Sequence, residues 1–178
     1  MPEGDHVSGN GAPPDFESYV ASRRPALRRT AYLLCGDWDR AEDIVQETVT
    51  RLYVHWRRAS RADSVDAYVR RSLVNAHLSE GRRPWRRERP TELLPETAYA
   101  DPTGTSDDRA DLRRALASLG ASQRAIVVLR YWDDLSVEQT ADALGCSTGN
   151  VKSQAARGLA RLREVLGVSD VHDSEVAR

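Results

Sequence analysis

Five polar residues close together near the end of the chain, Thr148, Asn150, Lys152, Ser153 and Arg157, have the types and spacing to recognise another molecule. An asparagine amide both donates and accepts hydrogen bonds, as the edge of a base does. Lys152, Arg157 and the free N–H groups of a helix start suit phosphate. Nothing comparable points to bond-making chemistry. The four histidines (His6, His55, His77, His172) are scattered without metal-ligand spacing, and Cys35 and Cys146 form no CxxC. The acid pairs Glu42/Asp43 and Asp107/Asp108 stand at helix starts, and there is no Gly-rich phosphate loop. The expectation is a protein that is not an enzyme, with no catalytic residue, no metal and no cofactor.

The five residues need a scaffold, and residues 135–157 (LSVEQTADALGCSTGNVKSQAAR) read as a helix-turn-helix. Ser136 and Gln139 have capping-box spacing and open a short helix with Val137, Ala141 and Leu144 inward. Small Ala141 permits close helix approach, and Gly145 supplies the left-handed turn. Ser147 or Thr148 caps the next helix, whose Val151, Ala155, Leu159, Leu162 and Leu166 mark its buried side. A helix of this kind fits the major groove, its first turns meeting base edges.

Over the whole 178 residues the formal charge is −1, but the charges are segregated. Residues 51–89 hold eleven Arg against four acids, residues 90–111 six acids against Arg109, and residues 147–166 four cations against Glu164. Two basic blocks around an acidic stretch suit two contacts with a polyanion. No apolar run exceeds about five residues, far short of the ~20 of a membrane span, and residues 1–14 lack the apolar core of a secretory signal. Cysteine usage fits a reducing cytoplasm, and both thiols read as buried apolar fillers.

Periodicity predicts an all-α chain of two small helical domains joined by a flexible linker. Residues 1–14 read as a disordered N-terminus and residues 168–178 as a frayed tail. Residues 15–82 form a three-helix domain. Its first helix carries Phe16, Tyr19, Val20, Leu27, Ala31 and Leu34, with Pro25 expected to kink or restart it, and ends at Gly36. The second, capped by Asp37 or Asp39, carries Ala41, Ile44, Val45, Thr48, Leu52 and Trp56, opposite a stripe of Glu42, Asp43, Gln46, Glu47 and Thr50. Ser64 caps the third, with Val65, Tyr68, Val69, Ser72, Leu73 and Ala76 on one face and Gly81 closing it. Tyr53, Trp56 and Tyr68 read as core. Residues 83–107 hold four prolines and read as the linker, with a reach of up to ~85 Å. Residues 108–167 form a four-helix domain, starting with Leu112, Ala115, Leu116 and Leu119 on one stripe and a second helix capped by Ser122.

Two motifs now coincide. AEDIVQETVTRLY over residues 41–53 resembles the signature of region two of bacterial sigma factors, and RAIVVLRY over 124–131 precedes the helix-turn-helix. The order resembles the compact extracytoplasmic-function type of the sigma-70 family. GNVKSQAARGLARLR over 149–163 is similar to an actinobacterial, sigma-E-like subgroup.

The resemblance implies a promoter-recognition subunit of RNA polymerase, with core polymerase and promoter DNA as partners and often an anti-sigma factor. It implies that Asp43, Gln46 and Glu47 dock on the clamp helices of the β′ subunit. It implies that Arg57, Arg58, Arg61, Arg70, Arg71 and Asn75, with the loop over 59–64, hold the separated minus-ten strand and a flipped base. The sequence AHLSE over 76–80 departs from the family's more usual Ile-Asp-x-x-Arg ending. The resemblance further implies that Thr148, Asn150, Lys152, Ser153 and Arg157 read the minus-thirty-five duplex, that apolar residues of the first helices of that domain hold the β flap, and that the acidic linker threads toward the RNA-exit channel. The competing reading is a free-standing helix-turn-helix regulator. It would need a dimer interface or ligand pocket in the first domain, and neither a heptad seam nor a sensor pattern is present there.

Overall fold

A computed structural model describes residues 15–61, 64–80 and 106–167. Their regular structure is entirely helical, in the order α1 (Phe16–Cys35), α2 (Trp38–Ala59), α3 (Val65–Glu80), α4 (Ser106–Ala117), α5 (Ala121–Tyr131), α6 (Val137–Leu144) and α7 (Thr148–Leu166). The N-terminal stretch, most of the linker, Gly81 and the tail lie outside the described residues. α4 begins at Ser106, two residues inside the segment assigned to the linker.

Helices α1 to α3 form the first domain. Gly36 ends α1 at φ 75°, its N–H bonded to the Tyr32 carbonyl, and the Asp37 carboxylate accepts the Arg40 N–H at 2.8 Å to start α2. Tyr32 and Trp38 stack across this corner, ring centroids 4.0 Å apart, with the Arg28 guanidinium over the indole. Pro25 does not break α1: it lies exposed inside one unbroken 20-residue helix. Tyr19 is buried before the proline and Thr30, Ala31 and Leu34 after it, so both halves are anchored by packing.

The α2 stripe is buried as expected, with Ala41, Ile44, Val45 and Thr48 all at 0% exposure and Trp56 half-buried against Phe16 and Tyr19. Tyr53 is the exception. It is 69% exposed, meeting only the edge of Phe16, because it lies off the inward stripe that Leu52 and Trp56 share. Ser64 accepts the Ala67 N–H at the start of α3, and the Asp66 carboxylate ties α3 to α1 by accepting from the Tyr19 hydroxyl and from Arg23, both at 2.6 Å.

Helices α4 to α7 form the second domain. Ala115, Leu116 and Leu119 are buried, but Leu112 is exposed, one turn too early to reach the core. α5 is capped by Gly120, without a side-chain bond, and not by Ser122. Ala125 to Leu129 are all buried, so the middle of α5 is covered on every side. Gly158 allows this: a Cβ there would lie 2.6 Å from the Val127 side chain, so α7 crosses α5 at a distance only glycine permits.

The two domains do not stand apart. Leu34, Ile44, Leu73 and Val74 of the first share one apolar cluster with Leu116, Val128, Leu129 and Ala143 of the second. The physical reason is surplus apolar surface. Besides its predicted stripe, α3 buries Val74 and His77, and residues 125–129 of α5 are apolar all round. Each bundle covers what the other cannot. Among the described residues, no helix is long and apolar enough to cross a membrane.

Candidate functional site

The helix-turn-helix forms as its residues dictate. Ser136 Oγ accepts the Gln139 N–H at 3.1 Å, and the Gln139 side chain accepts the Ser136 N–H at 2.9 Å. Gly145 takes φ 64°, and its N–H returns to the end of α6. Ser147, not Thr148, caps α7 by accepting the Asn150 N–H at 3.2 Å. Val151 and Ala155 pack on Ile126 and Ala141, fixing α7 across α6. Burying Val151 completely contributes about 1.5–3 kcal/mol to that seat.

Thr148, Asn150, Lys152, Ser153 and Arg157 are all exposed around the first turns of α7. They lie within three turns of one helix and are spread around its exposed side. The neighbouring Glu138 carboxyl lies below the usual carboxylate range, held by its own backbone N–H and Ser136 and then by Lys152 and Arg130. Arg130, Lys152 and Arg163 line a shallow groove together with Val137, Val151, Ala155 and Leu159. The surface is therefore cationic with an ordered, donor-rich helix start, as contact with a polyanionic duplex requires.

The first domain presents two further surfaces. Asp43 and Gln46 are exposed, and Glu47 is half-buried and paired with Arg51 at 2.6 Å, one helical turn on. Spaced i, i+3 and i+4, these three form one strip on α2. Glu42 does not join them, because it turns back onto α1 and pairs with Arg24 and Arg28. At the far end of α2, Arg57, Arg58 and Arg61 are exposed beside Tyr53 and Val54. On α3, Arg71 and Asn75 are exposed too.

Arg70 differs from the other cations of this group. It is half-buried in the cleft between the domains, which Tyr19, Arg23, Thr30, Asp66 and Asp133 also line. Burial raises the Asp133 carboxyl above the usual range, opposed by a hydrogen bond from Thr30 and by Arg70. Burial also raises the Tyr19 hydroxyl, and its bond to Asp66 adds to this.

Three residues of consequence were not singled out from sequence. Arg124 lies under α1 and spans both domains. Asp133 meets Thr30 across the cleft. His77 is 7% exposed with no hydrogen-bond partner for either ring nitrogen. Its ring is pushed down to about 4 by burial first, then by Arg124 and Arg40. The one available signal was a charged residue, Arg124, opening the five-residue apolar run 125–129.

Comparison with known proteins gives these surfaces a context. Residues 19–87 match the family described as Sigma-70 region 2, and residues 109–162 match Sigma-70, region 4. The chain is 43% identical over 157 residues to the RNA polymerase sigma-E factor of Streptomyces coelicolor, covering 88% of this chain and 89% of that one. It is 32% identical over 183 residues to the ECF RNA polymerase sigma factor SigE of Mycolicibacterium smegmatis, covering 98% of this chain and 69% of the other. In three dimensions it resembles the sigma factor RpoE of Bartonella quintana, solved in complex with the anti-sigma factor NepR, at a TM-score of 0.73 and 29% identity, covering 87% of this chain and 98% of that one. With both regions in order and relatives of this identity along nearly its whole length, the chain belongs to the sigma-70 family of RNA polymerase sigma factors, in its extracytoplasmic-function branch, and directs the initiation of transcription.

Proposed function

We propose that the three exposed surfaces divide that task as follows. The strip of Asp43, Gln46 and Glu47 takes the clamp helices of the polymerase β′ subunit. Arg57, Arg58, Arg61, Arg71 and Asn75, joined by Arg70 once the cleft is open, hold the single strand of the minus-ten element. Thr148, Asn150, Lys152, Ser153 and Arg157 read the minus-thirty-five duplex, while apolar residues of the second domain engage the β flap. Sigma factors are non-enzymatic initiation factors, and we read this chain as catalysing nothing itself. Its partners are then core polymerase, promoter DNA and an anti-sigma factor, the last being what RpoE of Bartonella quintana was solved with. A cytoplasmic location follows from such partners.

The observation that carries this division is the sorting of charge on region 2: an acidic-polar strip in the middle of α2 and arginines at its C-terminal end and on α3. Acids repel phosphate, so the strip suits a protein partner. The arginines suit a strand whose bases cost a few kcal/mol to unstack, a cost offset by phosphate contacts. On region 4, phosphate contacts position the helix and only Asn150 and its immediate neighbours reach base edges. A free-standing operator-binding regulator would have no use for the acidic strip. The test is to replace Asp43, Gln46 and Glu47 together by alanine and pull down core polymerase. Loss of co-purification with unchanged helicity by circular dichroism supports the division; undiminished co-purification refutes it.

A further inference from the structure

One face of α7 runs unbroken to the end of the helix. Lys152, Ala156, Leu159, Arg163 and Leu166 follow one another at alternating steps of four and three residues, the spacing that keeps side chains on one side of a helix. Leu159 is half-buried and the other four are exposed. The stretch from Lys152 to Arg163 lines a groove of about 360 Å³, which Arg130, Tyr131 and Val137 complete. That lies within the ~300–1,000 Å³ of pockets that hold a ligand. Tyr131 is 52% exposed and Leu166 41%, so large apolar side chains stay open to solvent beside three cations. A surface of this composition suits a segment that mixes acids with apolar residues.

Such a segment follows α7 directly. Residues 168–178 (VSDVHDSEVAR) carry Val168, Val171 and Val176 among Asp170, Asp173 and Glu175, against a single arginine, Arg178. Gly167 ends α7 in the left-handed conformation, φ 66°, which turns the chain off the helix axis beside Leu166. From Gly167 back to Lys152 is ~22 Å along the axis at ~1.5 Å per residue. Extended chain covers that distance in about seven residues at ~3.3 Å each. The acids therefore have the reach to meet Arg163, Lys152 and Arg130, and the valines to meet Leu159 and Val137. We propose that residues 168–178 lie back along α7 in this groove and compete with the duplex for Lys152. A short tether supplies an effective concentration of order millimolar, so weak contacts suffice. That Lys152 meets the duplex rests on the division of surfaces given above; the docking of residues 168–178 does not.

The test uses the full chain. One variant combines Val168→Ser, Val171→Ser and Val176→Ser, which leaves the net charge unchanged. The other combines Asp170→Asn, Asp173→Asn and Glu175→Gln. In ¹H–¹⁵N spectra both variants should move the amides of Ala155, Ala156 and Leu159 from their wild-type positions, in the same direction. Changes confined to residues beside the substitutions overturn the proposal. Groove shifts that fade on dilution give the groove to the same segment of a second copy, which overturns it too. Fluorescence anisotropy of a duplex carrying the upstream element, bound by the chain with core polymerase, reads the competition. A segment seated about two-thirds of the time lowers duplex affinity about threefold, and the serine variant should recover that factor. Equal affinity for the serine variant and wild type, where Lys152→Ala weakens binding, overturns the competition. If Lys152→Ala has no effect, the duplex assignment fails, while the spectra still decide the docking.

Discussion

Acidification should loosen the seat between the two domains, because His77 takes up a proton less readily where it lies than when exposed. Its ring is 7% exposed, both nitrogens lack partners, and the charged groups facing it are Arg124 from region 4 and Arg40 from α2. In the packed state its pKa is about 4, against an ordinary value of 6.5. Above pH 6.5 the ring is neutral whether packed or exposed, and the packing stands at full strength. Between pH 6.5 and 4 only the exposed ring binds a proton, so packing weakens as pH falls. At pH 5 the deficit is about 2 kcal/mol, from ~1.4 kcal/mol per pKa unit over the part of the interval already crossed. The perturbation is His77→Leu, which fills similar space and does not titrate. Urea unfolding followed by tryptophan fluorescence at pH 7.5 and 5.0 should show wild type losing about 2 kcal/mol more than the variant over that interval. Asp133 works in the opposite sense, since burial raises its carboxyl and favours the protonated form, but it is present in both proteins and drops out of the comparison. Equal losses in the two proteins would refute the reasoning.

Three further outcomes follow from the same geometry. Gly158→Ala gains helix propensity of ~1 kcal/mol, but its Cβ meets Val127 at 2.6 Å, and overpacking costs ~1–3 kcal/mol. A lower melting temperature is expected, and a higher one would show that α5 and α7 can part. Lys152→Ala should weaken duplex binding by the polymerase complex evenly across sequences and flatten the salt dependence by about one unit; an unchanged slope counts against phosphate contact. Asn150→Ala should relax upstream-element preference by about 1–3 kcal/mol, measured by competition between promoter variants, whereas equal losses on all promoters would assign it to positioning.

Local signals were legible wherever a few neighbouring residues decide the outcome. The capping box of Ser136 and Gln139, the left-handed Gly145 and the inward Val151 and Ala155 all follow from short-range rules, and all are present. Expectations failed where distant packing overrides a local rule. Pro25 sits inside a continuous α1 because packing before and after it anchors both halves of the helix. Leu112 and Tyr53 are apolar but lie outside the buried stripes of their helices and stay exposed, Tyr53 touching only the edge of Phe16. The docking of region 4 on region 2 was the largest omission. Periodicity gives one buried face per helix, and the second buried face of α3, at Val74 and His77, shows only once α5 and α6 are laid against it. For the same reason Arg124 is legible in the sequence only as the start of the RAIVVLRY motif and not as a link between domains, and Arg70 falls among exposed neighbours it does not resemble.

The central claim is that two small helical domains bind promoter DNA at separate places only while polymerase holds both. It is tested most directly by footprinting one promoter with the chain alone, with core polymerase alone and with the two together. The account predicts protection of two patches about two helical turns apart, with start-site choice in run-off transcription, only for the combination. Protection of either patch by the chain alone at the same concentration, without any start-site choice when core is added, would contradict it.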